Sequence, residues 1–317
     1  VLGVNAGNSI ASGGNYNVAI GDEAGTALTT GDQNVFVGYA AGDATTTAGQ
    51  NTALGHNALG ANITGAYNTA LGRAALELNT GGSNTAVGGD ALTANTSGAS
   101  NTAVGISVLD ANTTASNNTG VGANALGANT TGAQNTAVGS LSLDANTTGY
   151  YNQAFGYGAV GTNTTGNHLV AMGFEALGAN TTGSYNVAIG NYALDANTTA
   201  DNNTGLGYSA LTLNTTGTQN VGVGTNALGA NTTASNNTAV GHYALLANTT
   251  GASNVAVGNN ALDANTTASN NTAIGAAALT ANTTGAANVA VGSQALDANT
   301  TGAGNVAIGY NAGSAIT

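Results

Sequence analysis

The residues able to do chemistry are few and scattered. The 317-residue chain holds three histidines (His56, His168 and His242), thirteen acidic side chains, no cysteine and one cation, Arg73. Catalysis needs titratable groups that converge, and nothing in their spacing brings these together, so neither an enzyme nor a cofactor or metal site is expected. Asp110, Asp144, Asp195, Asp263 and Asp297 fall on one position of a repeating pattern, two to four repeats apart. At about 4.8 Å per stacked repeat they are too far apart to share an ion. They read as a dilute acidic stripe that aids solubility.

A second motif with chemistry is Asn-x-Thr, the acceptor pattern for N-linked sugar. It recurs at Asn112, Asn129, Asn146, Asn163, Asn180, Asn197, Asn214, Asn231, Asn248, Asn265, Asn282 and Asn299. If this Asn-Thr-Thr segment is a projecting corner, it predicts exposed acceptors for glycosylation. The competing reading is that Asn-Thr-Thr is simply good corner chemistry. Tyr67, Tyr151, Tyr185, Tyr208, Tyr243 and Tyr310 sit at variable positions and read as surface side chains able to touch a glycan or a partner.

What positions these residues is a repeat. Glycine recurs from Gly3 and Gly21 to Gly309 in steps of 17, with one step of 18 (Gly3 to Gly21) and one of 16 (Gly72 to Gly88). A unit this short cannot fold alone and must be one coil stacked on its neighbours. Two Gly-rich points per coil leave no room for a helix. The segment 186–190, Asn-Val-Ala-Ile-Gly, reads as a short strand running into a turn, and the segment around Ala193 and Leu194 as a second one. The predicted fold is all-β: a parallel β-solenoid (β-roll) of about 18 coils, continuous over 1–317, making a rod of roughly 85 Å.

Two slots are expected to form aliphatic ladders in the core. One is the leucine column that includes Leu194, Leu211 and Leu228, with Val160 as an exception; the other is the apolar residue before each repeat glycine, as in Ile20, Leu54, Met172 and Ile189. The slot between, nearly always Ala or Gly, then faces the other way, toward the opposite wall of a thin coil or another chain. Two asparagine columns, Asn62 to Asn299 and Asn17 to Asn305, are expected to stack their amides along the axis, with Leu169 interrupting the second.

Composition narrows the partners. The net charge is -12 with a single cation, so neither nucleic acid nor anionic membrane is an expected partner. No apolar run approaches the ~20 residues of a membrane helix. The Asn-Val-Ala-Ile-Gly strands (17–21, 186–190, 305–309) resemble the repeat of trimeric autotransporter adhesin heads. The Asn-Thr-Ala-Leu-Gly and Ala-Leu-x-Ala-Asn-Thr-Thr-Gly segments are similar to repeats of phage tail fibres that end in an endosialidase-type chaperone. The resemblance implies a parallel β-roll, often trimeric, used for attachment.

The functional expectation is a structural subunit of an extracellular, cell-surface or virion fibre: an adhesin shaft, tail fibre or fibril. It would be a slice of something longer, self-associating into a filament or a homotrimer, with surface glycans as further partners. The alternative is a Thr-ladder surface that orders ice or water.

Overall fold

The computed structural model describes residues 2–314 and shows a parallel β-solenoid with no helix among them. It divides into two compact units, residues 1–158 with 163–165, and residues 159–162 with 166–317. The first carries nine strands, from β1 (Val18–Ile20) through β2 (Val35–Val37) and β3 (Thr52–Leu54) to β9 (Gln153–Phe155). The second carries nine more, from β10 (Val170–Met172) to β18 (Val306–Ile308). Within each unit successive strands pair in parallel, and equivalent repeat positions lie side by side, as Val187, Thr204 and Val221 do.

Each coil has one strand of three residues, not two. The second expected strand, around Ala193 and Leu194, is a run of turns. The reason lies in its burial: Ala58 and Leu59 are consecutive and both fully buried, which an alternating strand cannot achieve. Left-handed backbone solves the problem. Asn57 and Leu59 have φ of 54° and 57°, so amides of this segment reach both neighbouring coils. Asn57 N–H donates to Tyr39 C=O on one side, and Leu59 N–H donates to Ala75 C=O on the other.

The leucine column accepts this conformation in coil after coil, at φ of 55° for Leu211 and Leu228, and even Val160 does so at 56°. Left-handed backbone costs a side-chain-bearing residue ~1–2 kcal/mol. Complete burial of the leucine returns ~1.5–3 kcal/mol, so the aliphatic ladder carries its own strain. The repeat glycines are a different case. Gly207 sits at φ 133°, where only glycine is comfortable, and a Cβ there would stand 2.7 Å from the carbonyl of Gly224 in the next coil.

The strand is turned over relative to expectation. Its middle residue points in and its two flanking residues point out: Ala53 is fully buried while Thr52 and Leu54 are exposed. The apolar slot before the glycine is therefore no core ladder; Ile20, Leu54, Leu71, Met172, Leu206 and Ile274 are all exposed. Leucine from the facing wall already fills the interior, so only a small residue fits opposite it. At Gly205 an added Cβ would lie 3.3 Å from the Leu194 side chain.

Exceptions to that size rule come in compensating pairs. Phe36 is the one large residue in the inward strand slot of the described strands, and it is fully buried. Its ring uses the space left by Gly25 and Gly42, which stand where leucine normally does; a Cβ on Gly42 would sit 2.6 Å from it. Val108, larger than the usual alanine, is matched by Gly120, where a Cβ would come within 2.5 Å of Val108.

This pairing is testable by a double-mutant cycle. Phe36→Ala alone should cost ~3–5 kcal/mol and Gly42→Leu alone ~1–3 kcal/mol by overpacking. The double variant recreates the standard Ala and Leu pair, and its loss should fall short of the sum by more than about 1 kcal/mol. Hydrogen exchange of the β2 and β3 amides reads the local stability. Additive losses would show that the two sites do not share the space.

Candidate functional site

The most built feature of the molecule is a pair of buried amide ladders. In the first, most corner asparagines donate from Nδ2 to Oδ1 of their predecessor. The distances are 2.8 Å for Asn112 to Asn95 and 2.9 Å for Asn129 to Asn112 in the first unit, and 2.9 Å for Asn197 to Asn180 and 2.8 Å for Asn231 to Asn214 in the second. The second Nδ2 hydrogen goes to the carbonyl three residues on, as from Asn112 to Ala115 at 3.1 Å. In the other ladder Oδ1 accepts a backbone N–H from the next coil, as Asn203 does from Asn220 at 2.9 Å, while Asn203 Nδ2 donates to Gly217 C=O at 2.8 Å. These bonds leave few polar atoms orphaned; Asn299 Oδ1 and Thr45 Oγ1, the latter in an asparagine slot, are two that have no partner. Leu169 fills its own slot of the second ladder and is fully buried.

The expected exposed acceptors are therefore inside. Asn112, Asn129, Asn146, Asn163, Asn180, Asn197, Asn214, Asn231, Asn248, Asn265, Asn282 and Asn299 are all 0% exposed. The nitrogen a sugar would need is committed to hydrogen bonds in the folded coil. Only part of the corner projects. The first Thr turns its hydroxyl onto the next coil's carbonyl, as Thr147 does on Thr164 at 3.0 Å. The second Thr, such as Thr131 or Thr148, is exposed.

The titratable residues stay apart. Among the described residues no three His, Cys, Asp or Glu gather as a metal site. His56 stacks on Tyr39, His168 on Tyr185, and His242 lies against Tyr243. Arg73 is not solitary: its Nη2 pairs with Asp90 on the next coil. With the Arg73 side chain 66% exposed, that pair adds little stability.

Asp110, Asp144 and Asp195 lie in one column with Asp43, half-buried against the coil. Burial pushes the carboxyl of each above the usual range, partly offset by backbone N–H bonds and, at Asp195, by the Thr212 hydroxyl. At two coils where glycine takes this column position a shallow notch opens. One of about 260 Å³ at Gly60 lies between Asp43 and Glu77. Another of about 390 Å³ at Gly229 is lined by Thr212, Leu213, Asn226, Tyr243 and Leu246.

The outer surface carries two further patterns. The flanking strand positions form paired columns, and in every described strand they hold Val, Thr, Ile, Leu, Met, Phe or Gln, never a charge. Near the strand ends of the second unit, Phe174, Tyr192 and Tyr208 step from coil to coil in edge-to-face contact, with centroids 5.4 and 6.2 Å apart. Sequence reasoning missed the outward columns because it assigned one of them to the core. The usable signal was size: that slot runs from Val to Phe and Met, while the inward slot hardly varies. Comparison with family models, with curated proteins and with solved structures gave no match.

Two outcomes check this description. Asn231→Asp places a carboxylate against the acceptors Asn214 Oδ1 and Ala234 C=O, and should cost ~3–5 kcal/mol at neutral pH. Asn231→Leu should cost less, ~1–3 kcal/mol, because it only removes donors. Urea denaturation ranks the two, and equal losses would contradict the donor geometry. The second outcome concerns pH. Carboxyls raised by burial bind protons more tightly folded than unfolded, so their contribution favours the fold below the unfolded value near ~4 and is lost as pH rises through the folded values. Melting temperature should rise as pH is lowered from 7 toward about 4. A steady fall over that range would contradict it.

Proposed function

We propose that the chain is a structural subunit of an extracellular or surface fibre, and that it associates laterally with copies of itself through the outward strand face. One observation carries this reading: the outward strand positions hold no charge in either unit, and in the second unit most of them are aliphatic. A large contiguous exposed apolar surface marks an interaction site, and no charged residue interrupts this one. In the second unit it consists of Val, Ile, Leu, Met and Thr alone. Such surface prefers to leave water, at ~25 cal/mol per Å² of apolar area. A closed homotrimer would cover one such face per subunit. The scarcity of cations fits a partner other than nucleic acid, and attachment or matrix formation is the role such a fibre would serve.

A second reading has its own observation. Thr52, Thr69, Thr85, Thr102, Thr119 and Thr136 occupy the same outward slot in successive coils, a hydroxyl and methyl column able to order water or ice. Thermal hysteresis in dilute solution would favour it; association without hysteresis favours the fibre.

The fibre reading predicts the outcome of one substitution set. Val223→Lys, Val240→Lys and Val257→Lys together put charge on successive coils of the outward face. The variant should keep its far-ultraviolet circular dichroism while its self-association, followed by static light scattering, weakens at least about tenfold. Association equal to that of the unaltered chain would remove this face from the assembly.

A further inference from the structure

We infer that the second unit binds a neutral glycan chain along the strip from Phe174 to Tyr243. This goes beyond the fibre reading and does not depend on it, because the strip lies around the turn after the strand and not on the outward strand face.

The strip begins with rings. Tyr208 is 53% and Phe174 38% exposed, and Tyr192 bridges them through edge-to-face contacts. It continues through Asn226, whose backbone N–H donates to Tyr208 C=O at 3.0 Å, into the notch over Gly229. There Tyr243 lies with Leu213 and Leu246, Asn226 supplies a polar side chain at the wall, and the Thr212 hydroxyl, which donates to Asp195 at 2.9 Å, is left as an acceptor. Four coil steps separate the two ends, about 19 Å at the spacing of parallel strands.

The chemistry of these groups selects the ligand. A sugar ring has an apolar face of C–H bonds and an edge of hydroxyls. Aromatic rings offer large rigid contact area for the first at little entropic cost, and amide and hydroxyl side chains suit the second. The carboxylates beside the strip are Glu175, next to Phe174, and Asp195, on the Thr212 hydroxyl, and the second unit has no Lys or Arg to balance them. In a chain of net charge -12 with one cation, an anionic polysaccharide would be repelled and left without a counter-charge. Exposed rings at coil spacing leading to one notch suit an extended chain of sugars better than one compact molecule.

The test uses the full chain, with binding read by isothermal titration calorimetry, because eight of its eleven tyrosines lie outside the strip. Cellohexaose, maltohexaose and xylohexaose serve as neutral probes and hexagalacturonate as the anionic one. At least one neutral probe should bind and hexagalacturonate should not. Tyr208→Ala and Tyr243→Ala should each weaken binding about fivefold to tenfold. Tyr67→Ala, in the other unit, should leave it unchanged. Unaltered melting of the variants separates lost contact from lost fold. Absence of binding by all three neutral probes at millimolar concentration, or binding indifferent to both tyrosines, overturns the inference. Light scattering on the same samples reads self-association separately, so failure here leaves the fibre reading standing.

Discussion

A coil of 17 residues turns its backbone inward-facing amides toward an aliphatic interior, and the buried asparagines are what satisfy them. A buried, unpaired N–H or C=O costs ~1–3 kcal/mol, and without these amides each coil would hold one of each. One asparagine column accepts backbone N–H groups from the next coil, and the other chains its amides end to end while holding its own corner carbonyl. Both columns run along the stack, so each coil completes the bonding of its neighbour. No coil has this satisfaction alone, which makes stacking and folding one event within a unit.

Other features follow from this polar frame. Asparagine and the inward strand residue sit two apart, hence on one face of the strand. With the amide inside, the strand's middle residue is inside as well, and the flanking aliphatic residues are forced out. The leucine column on the facing wall then fills the remaining interior, at the cost of left-handed backbone. The core is thin, so size is conserved by exchange: Phe36 against Gly25 and Gly42, Val108 against Gly120. The outward aliphatic columns are thus a consequence of how the interior is satisfied, and they are also the surface with the strongest physical reason to find a partner.

Much of this was legible in the sequence. The 17-residue glycine period gives the solenoid, and the constancy of Asn197 or Asn203 across coils gives the ladders. Two things were not legible by hydrophobicity alone. Ranking Val and Ile above Ala for burial inverts the strand, because volume and not apolarity limits the slot facing Leu194. A glycosylation pattern read from Asn-Thr-Thr also misplaces the asparagine, because motif chemistry is silent on which way the side chain points. The aromatic strip could not be read from a linear list, since Phe174, Tyr192 and Tyr208 occupy two different repeat positions and meet only when coils are stacked.

The chain has no cysteine, which allows the strand's orientation to be read directly by single-cysteine labelling. Thr238→Cys, Ala239→Cys and Val240→Cys place one thiol at each position of a strand in the second unit. In dilute, dispersed protein the thiols at 238 and 240 should react quickly with a soluble maleimide and the thiol at 239 slowly. On association the thiol at 240 should become protected. A fast thiol at 239 with slow ones at 238 and 240 would contradict the inward amide frame and the outward face that depends on it.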